Sequence, residues 1–317
     1  MTTAETPVRK GGYMKLVTYR YEGRESLGAL DTERNVIREV TGPGGMDSGA
    51  DLQTLIRRWD ALPAGRPPVN GTEIPLDAVT LRAPMPRPSR NIFCVGKNYH
   101  DHSAEFAGSG FDGSDDGTGN PSGVPALPIF FTKATGSVIG PGEVIEPHAG
   151  VTDALDYEVE LAVIIGTGGR GISKEDSWRH IWGYTIINDV TARDLQRDHK
   201  QWFLGKSLDT FCPMGPWAVT ADEVEPTNLT VECWVNGELR QSSNTRDLIF
   251  DIPTLISTLS AGITLQPGDI IATGTPAGVG LGFDPPRFLR PGDVVSMRIG
   301  ELGTLTNPIG PLTRPDP

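Results

Sequence analysis

Asp156-Tyr157-Glu158-Val159-Glu160-Leu161-Ala162-Val163-Ile164-Ile165-Gly166 reads as a β-strand entering a core, because Leu161 to Ile165 is an unbroken apolar run. Its first half carries carboxylates at alternate positions. Side chains two apart on a strand share a face, so Asp156, Glu158 and Glu160 would stand side by side, about 7 Å apart along the strand. Three like charges repel. Either the face is solvated or a cation neutralises it, and a hard divalent ion suits a set of oxygen ligands. The apolar continuation argues for burial. A second apolar run, Trp182 to Ile187, ends in Asn188-Asp189, and an acid at the end of a buried strand can meet the first set in space.

Around these two strands the chain is dense in turns. Its 39 glycines and 27 prolines are about a fifth of 317 residues, against an ordinary share of about 12%. They punctuate short apolar runs, which implies a β-rich fold with many turns. Strands are expected at Met14–Tyr21, Asn35–Val40, Val79–Ala83, Asn91–Val95, Ile129–Lys133, Asp269–Thr273 and Val294–Ile299. Helical spacing predicts helices over Asp51–Leu62, from about His100, over Thr191–Lys200 and over Ile252–Ser260. Asn236-Gly237 is a two-residue hairpin signal. The proline-rich Pro84–Ser89 resembles a linker, which divides the chain into a small N-terminal α/β domain (1–85) and a larger β-rich domain (86–317), an α+β arrangement. Gly108–Pro125 is polar and glycine-rich. Following a candidate catalytic helix, it reads as part of a lid over 99–125.

Bulk properties exclude some functions. A net charge of −12 argues against nucleic acid or an anionic membrane surface as primary partner. Cys94, Cys212 and Cys233 are odd in number and lack CxxC spacing, so neither a disulfide framework nor a thiolate zinc site is expected. No run approaches a membrane span, and no signal peptide is visible, so a cytoplasmic protein is expected.

Other residues invite chemistry. His102 and Glu105 lie three apart and face each other on one helical turn, where a carboxylate orients an imidazole as a general base. Lys206 and Lys133 follow apolar runs, where an ammonium can stabilise an oxyanion or pair with a substrate carboxylate. Arg193 and Gln196, one turn apart after Asp189, can face the same place. Thr273–Gly280 is a glycine-rich loop after a strand, but it has neither the lysine of a phosphate-binding loop nor a GxGxxG order. Five tryptophans, Trp178, Trp182, Trp202, Trp217 and Trp234, raise the weaker alternative of a carbohydrate-binding module.

The ordered series Gly96-Lys97-Asn98-Tyr99-x-x-His102-x-x-Glu105, Asp156-Tyr157-Glu158-x-Glu160-Leu161, Gly183-Tyr184-Thr185-x-x-Asn188-Asp189-Val190-Thr191-Ala192-Arg193-Asp194-Leu195-Gln196, Gly205-Lys206-Ser207 and Gly274-Thr275-Pro276-x-Gly278-Val279-Gly280 resembles the fumarylacetoacetate hydrolase family over about residues 90–310. The resemblance implies a mixed β roll and a homodimer. It implies Glu158, Glu160 and Asp189 as ligands of one Mg²⁺ or Mn²⁺ per subunit, with Asp156 a neighbour. By the same resemblance His102 and Glu105 activate water, Lys206 contacts the reacting substrate, and Arg193, Gln196 and Thr275 bind it; Lys133 is grouped with them. The stretch 108–125 is longer than in compact members.

The expected reaction is metal-dependent hydrolysis of a C–C bond in a small 2,4-dioxo acid such as an acylpyruvate, giving pyruvate and a carboxylic acid. Decarboxylation or isomerisation of oxaloacetate or another 2-oxo dioate on the same site is the alternative. A catalytically silent ligand-binding protein is the alternative of another class.

Overall fold

A computed structural model describes residues 14–41, 51–62, 65–108 and 123–312. The N-terminal part comprises β1 (Lys15–Tyr21), β2 (Arg24–Asp31), β3 (Val36–Val40), helix α1 (Leu52–Arg57), β4 (Val69–Pro75) and β5 (Thr80–Leu81). There follow β6 (Ile92–Gly96), α2 (His100–Gly108), β7 (Ile129–Lys133), β8 (Val138–Ile139), β9 (Leu155–Asp156), β10 (Val159–Ile165), β11 (Ile181–Asn188), β12 (Thr191–Ala192), α3 (Arg193–Asp198) and α4 (Phe203–Lys206). The chain closes with β13 (Cys212–Thr220), β14 (Thr230–Val235), β15 (Glu238–Asn244), α5 (Ile252–Ser260), β16 (Ile270–Ala272), β17 (Val294–Ile299) and β18 (Thr304–Pro308).

One mixed sheet runs β4-β3-β2-β1-β13-β11-β10-β16-β6-β7, with β5 and β8 attached to β1 and β13. A four-stranded antiparallel sheet, β15-β14-β17-β18, contributes Val231, Cys233, Val295 and Met297 to the larger core. The strand predicted from Leu161 to Ile165 is β10, and it is buried on both faces. Val159, Leu161, Val163 and Ile165 enter that larger core, while Ala162 and Ile164 pack with Leu52, Leu55 and Ile56 of α1. Glu160 has the parity of Ala162 and Ile164. This explains why the run reads as continuously apolar rather than alternating. Ile186 of β11 is fully buried in the larger core. Ile186→Ala is expected to cost about 2–5 kcal/mol of folding free energy, read as a lower urea midpoint with unchanged slope.

The helix caps follow the sequence. Asp51 and Asp251 each accept the backbone N–H three residues on, at 2.7 and 2.9 Å, and Pro253 occupies the first turn of α5. Asn236 and Gly237 have φ of +53° and +80° and join β14 to β15 by two residues, as the Asn-Gly pair predicts.

Three expectations shift. The strand expected to run unbroken from Asp156 is interrupted at Tyr157-Glu158, where Asp156 leaves to pair with Thr191 in the small β9–β12 ladder. The helix predicted over Thr191–Lys200 is shortened to α3 because Thr191 and Ala192 are taken by that ladder. Asp51–Leu62 divides into α1 and a 3₁₀ turn at Trp59–Ala61. The lid expected over 99–125 is described through α2 and from Gly123 onward; 109–122 lie outside the described residues. No helix among the described residues is long and apolar enough to cross a membrane.

Candidate active site

The ends of β10 and β11 converge. Asp189 N–H donates to Glu158 C=O at 2.9 Å, and Glu158 N–H donates to the Asn188 side chain at 3.1 Å. These bonds tie the two acid-bearing strand ends together. Glu158, Glu160 and Asp189 are all buried and offer carboxylate oxygens within 4.8 Å of one another. Asp156, on its side of the strand break, is not part of this cluster. It accepts from Arg193 Nε at 2.8 Å and from the backbone N–H groups of Tyr157, Gly280 and Leu281.

Three cations line the acids. Lys206 Nζ donates to Glu158 and Asp189, both at 2.8 Å. Lys133 Nζ donates to Asp189 Oδ1 at 2.5 Å and to Val190 C=O at 3.0 Å. Arg193 Nη2 lies 2.7 Å from Glu158 Oε1 as an ion pair, but its N–H does not point at that oxygen, so this buried nitrogen keeps unspent donor capacity. Glu160 stands apart: among the described residues it accepts only the Gly274 N–H, at 2.8 Å. The electrostatics follow. Burial would raise Glu158, but Lys206, Arg193 and His102 outweigh it and hold its carboxyl well below the usual range. Burial pushes the Glu160 carboxyl well above its ordinary value, and the negative charges of Asp189 and Glu158 push it the same way. Lys206 is held protonated by Asp189 and Glu158 against the effect of burial. The three cations are thus paired with Glu158, Asp189 and the neighbouring Asp156, and Glu160 is left without one at ion-pair distance among the described residues. All-oxygen donors with one uncompensated charge fit a hard divalent cation, which would turn the centre net positive.

Opposite the acids stands α2. His102 Nδ1 lies 3.3 Å from Glu105 Oε2, as the three-residue spacing predicts, and Glu105 also accepts the Gly278 N–H at 3.1 Å. His100 is exposed on another side. The cavity between is lined by His102, Glu158, Glu160, Arg193, Gln196, Lys206 and Thr275, with Phe106, Phe131 and Trp202 as apolar wall. Lys133, expected at the substrate, does not reach this lining; it is fully buried behind Asp189. Gln196 accepts from Arg193 Nη1 at 3.1 Å, and Thr275 accepts from Gln241 Nε2 at 2.8 Å.

Two organising residues carried no functional reading in the sequence. Gln241, fully buried, accepts from Val159 N–H and donates to Thr275 and to Pro276 C=O, so it links β10 to the glycine-rich loop. Nothing in its surroundings signals this. Asn98 donates to the carbonyls of Thr273 and Phe250 and accepts from Phe250 N–H. Its place between a strand and a helix start was the available signal. Lys97, with φ of +55°, also lines the cavity, and its Nζ lies 5.2 Å from the centre of the Phe106 ring. Trp182 and Trp202 are buried in separate apolar clusters, which does not suit a sugar-binding face.

The family model for the fumarylacetoacetate hydrolase C-terminal domain matches residues 91–310. The oxaloacetate tautomerase YisK of Bacillus subtilis is 55% identical over 236 residues, 74% of each chain. The human mitochondrial oxaloacetate tautomerase FAHD2A is 44% identical over 240 residues, 74% of this chain and 71% of its own. Among solved structures, a fumarylacetoacetate hydrolase from Exiguobacterium antarcticum superposes with a TM-score of 0.79 at 43% identity, covering 94% of this chain and 99% of that one. A 2-hydroxyhepta-2,4-diene-1,7-dioate isomerase from Mycobacterium marinum does so with a TM-score of 0.72 at 32% identity, covering 94% and 98%.

Proposed function

The chain belongs to the fumarylacetoacetate hydrolase family, and from that premise we propose that it interconverts the keto and enol forms of oxaloacetate or a closely similar 2-oxo dicarboxylate. The observation that carries this choice is the 55% identity to an oxaloacetate tautomerase over three-quarters of both chains. It favours the isomerase alternative over C–C hydrolysis, the reaction expected first from the sequence.

In this reading Glu158, Glu160 and Asp189 hold one Mg²⁺ or Mn²⁺. A divalent ion there supplies Lewis acidity that lowers the cost of negative charge on the 2-oxygen. The remaining roles belong to side chains. His102, oriented by Glu105, takes the proton from C3 of the keto form while the C3–H electron pair becomes the C2–C3 double bond; the imidazolium then gives that proton to the 2-oxygen, which completes the enol and restores the base, and no bond between heavy atoms breaks. Arg193 offers its unspent Nη2 to a substrate carboxylate, beside Gln196 and Thr275. Lys206 keeps positive charge close to the developing oxyanion. Lys133 acts from behind, fixing the orientation of Asp189.

The test is direct. Freshly dissolved enol-oxaloacetate is followed by ultraviolet absorbance and proton NMR with Mg²⁺ or Mn²⁺. Accelerated ketonisation without loss of carbon dioxide is the expected result. Preferential cleavage of an acylpyruvate to pyruvate and an acid would replace this reading with hydrolysis, the second reading, which the 43% identical hydrolase structure favours. Chelation is a separate check. Removing the cation is expected to abolish turnover and lower the melting temperature, and Mn²⁺ at about 100 times its dissociation constant should return about 2.7 kcal/mol of stability. The homodimer remains part of the proposal and is read by light scattering.

A further inference from the structure

Gly274 and Gly278 have φ of +102° and +97°, a left-handed backbone that favours glycine. Gly280 and Gly282, in the 3₁₀ turn just beyond, do not have positive φ. Their backbone would accept any residue, so what excludes a side chain there is a neighbour. At Gly280 a Cβ would meet Asp156 Oδ1 at 2.6 Å and the Arg287 carbonyl at 2.7 Å. At Gly282 the three nearest atoms all belong to one side chain: Oε1, Cδ and Cγ of Glu105. The space of the missing methyl is filled by that carboxylate.

The same carboxylate touches the imidazole of His102 on one side and the Gly278 N–H on the other. Phe106, the next residue of α2, packs with Trp202, Val279 and Leu281, so the helix is clasped to this loop by apolar contact as well. The loop backbone also binds Asp156, which holds Arg193. One short turn thereby fixes both the His102–Glu105 pair and the substrate-facing arginine.

We propose that Gly282 is a positioning residue for the acid–base pair: its bare backbone forms the seat in which Glu105 lies to orient His102. The inference rests on the assignment of His102 and Glu105 as that pair. A methyl at 282 collides with the flexible end of a side chain rather than with backbone, so it displaces Glu105 while leaving the fold intact.

The experiment compares Gly282→Ala, Glu105→Ala, Glu105→Gln and the double variant G282A/E105A in the full-length protein. It reads kcat and KM for enol-oxaloacetate, Mn²⁺ affinity and melting temperature. Gly282→Ala is expected to lower kcat on the order of 100-fold, since misplacement by about 1 Å has that effect, with KM and Mn²⁺ affinity unchanged. Glu105 meets the added methyl with Cγ and Cδ as well as Oε1, so truncation to Cβ clears it: Gly282→Ala is expected to cost nothing further in rate or melting temperature in the Glu105→Ala background, a coupling that neighbours alone show. Wild-type kcat in Gly282→Ala overturns the seat, and so does a loss of the same size in the Glu105→Ala background. If Gly282→Ala does not fold, the double variant decides: folded, it supports the seat; unfolded, it refutes it. Full activity in Glu105→Gln would instead sink the acid–base assignment, whatever happens at 282.

Discussion

Glu160→Gln is expected to lower turnover on the order of 10³-fold, because a Lewis acid supplies several kcal/mol of charge stabilisation and each 1.36 kcal/mol is a factor of ten. The same substitution should make the metal-free protein more stable. Glu160 is the one carboxylate of the cluster with no cation at ion-pair distance among the described residues; it has only the Gly274 N–H. Burial and the charges of Asp189 and Glu158 raise its folded-state value, so its ionisation costs the metal-free fold. The sign follows from linkage: stability is lost as pH rises through that elevated value, above the ordinary carboxylate range, and the amide removes the loss. Melting curves in chelator should therefore place Glu160→Gln above wild type, while Mn²⁺ raises wild type and leaves the variant unmoved. Asp189→Asn is a poorer probe, since it weakens the partner of two buried lysines, Lys133 and Lys206. Wild-type Mn²⁺ affinity in Glu160→Gln would remove Glu160 from the ligand set.

His102→Ala is expected to lower the rate of C3 proton exchange by about 10²–10⁴-fold, the usual contribution of a positioned acid–base group. Its side chain is 6% exposed and lines the cavity across from the acids. Metal affinity should change little, because His102 contributes to Glu158 only as a third, weaker electrostatic partner after Lys206 and Arg193. Deuterium exchange at C3 followed by NMR reads the chemistry directly, and Mn²⁺ titration of the same sample reads the binding. An unchanged exchange rate would mean that another group moves the proton.

The strands that the sequence disclosed are those whose local chemistry agrees with their environment. β10 has apolar residues on both faces because both faces are covered, and the Asn-Gly hairpin has its turn residues in place. β13 was illegible for the opposite reason. Cys212-Pro213-Met214-Gly215-Pro216 carries two prolines, and proline is unwelcome in a central strand. Here the pairing with β11 shifts register between Tyr184 and Ile186, opposite Pro216, and the ladder absorbs the missing donor. β2 carries only Leu27, Ala29 and Leu30 among polar residues and glycine, and β4 is exposed along most of its length, so neither shows a clear apolar pattern.

At the candidate site, residue types and spacing disclosed the acids and the His102–Glu105 pair. They could not show that Asp156 turns away, because that depends on a break in the strand and on partners more than 120 residues distant, Gly280 and Leu281. Nor could they show that Lys133 stands behind Asp189 rather than before the substrate. An apolar stretch ending in lysine looks the same in either case.

The segment that matches the family model begins at residue 91, yet the sheet does not. β1 pairs with β13, and Leu16, Leu27, Val40 and Leu55 share a core with Ala162, Ile164 and Ile187. Excising 91–310 for expression or grafting would leave the inner ladder of β13 as a raw seam and strip one wall from the strand bearing Glu160. Anyone seeking a minimal catalyst from this chain has to carry the N-terminal strands along, because half the floor beneath the acids is laid by residues outside the recognisable motif.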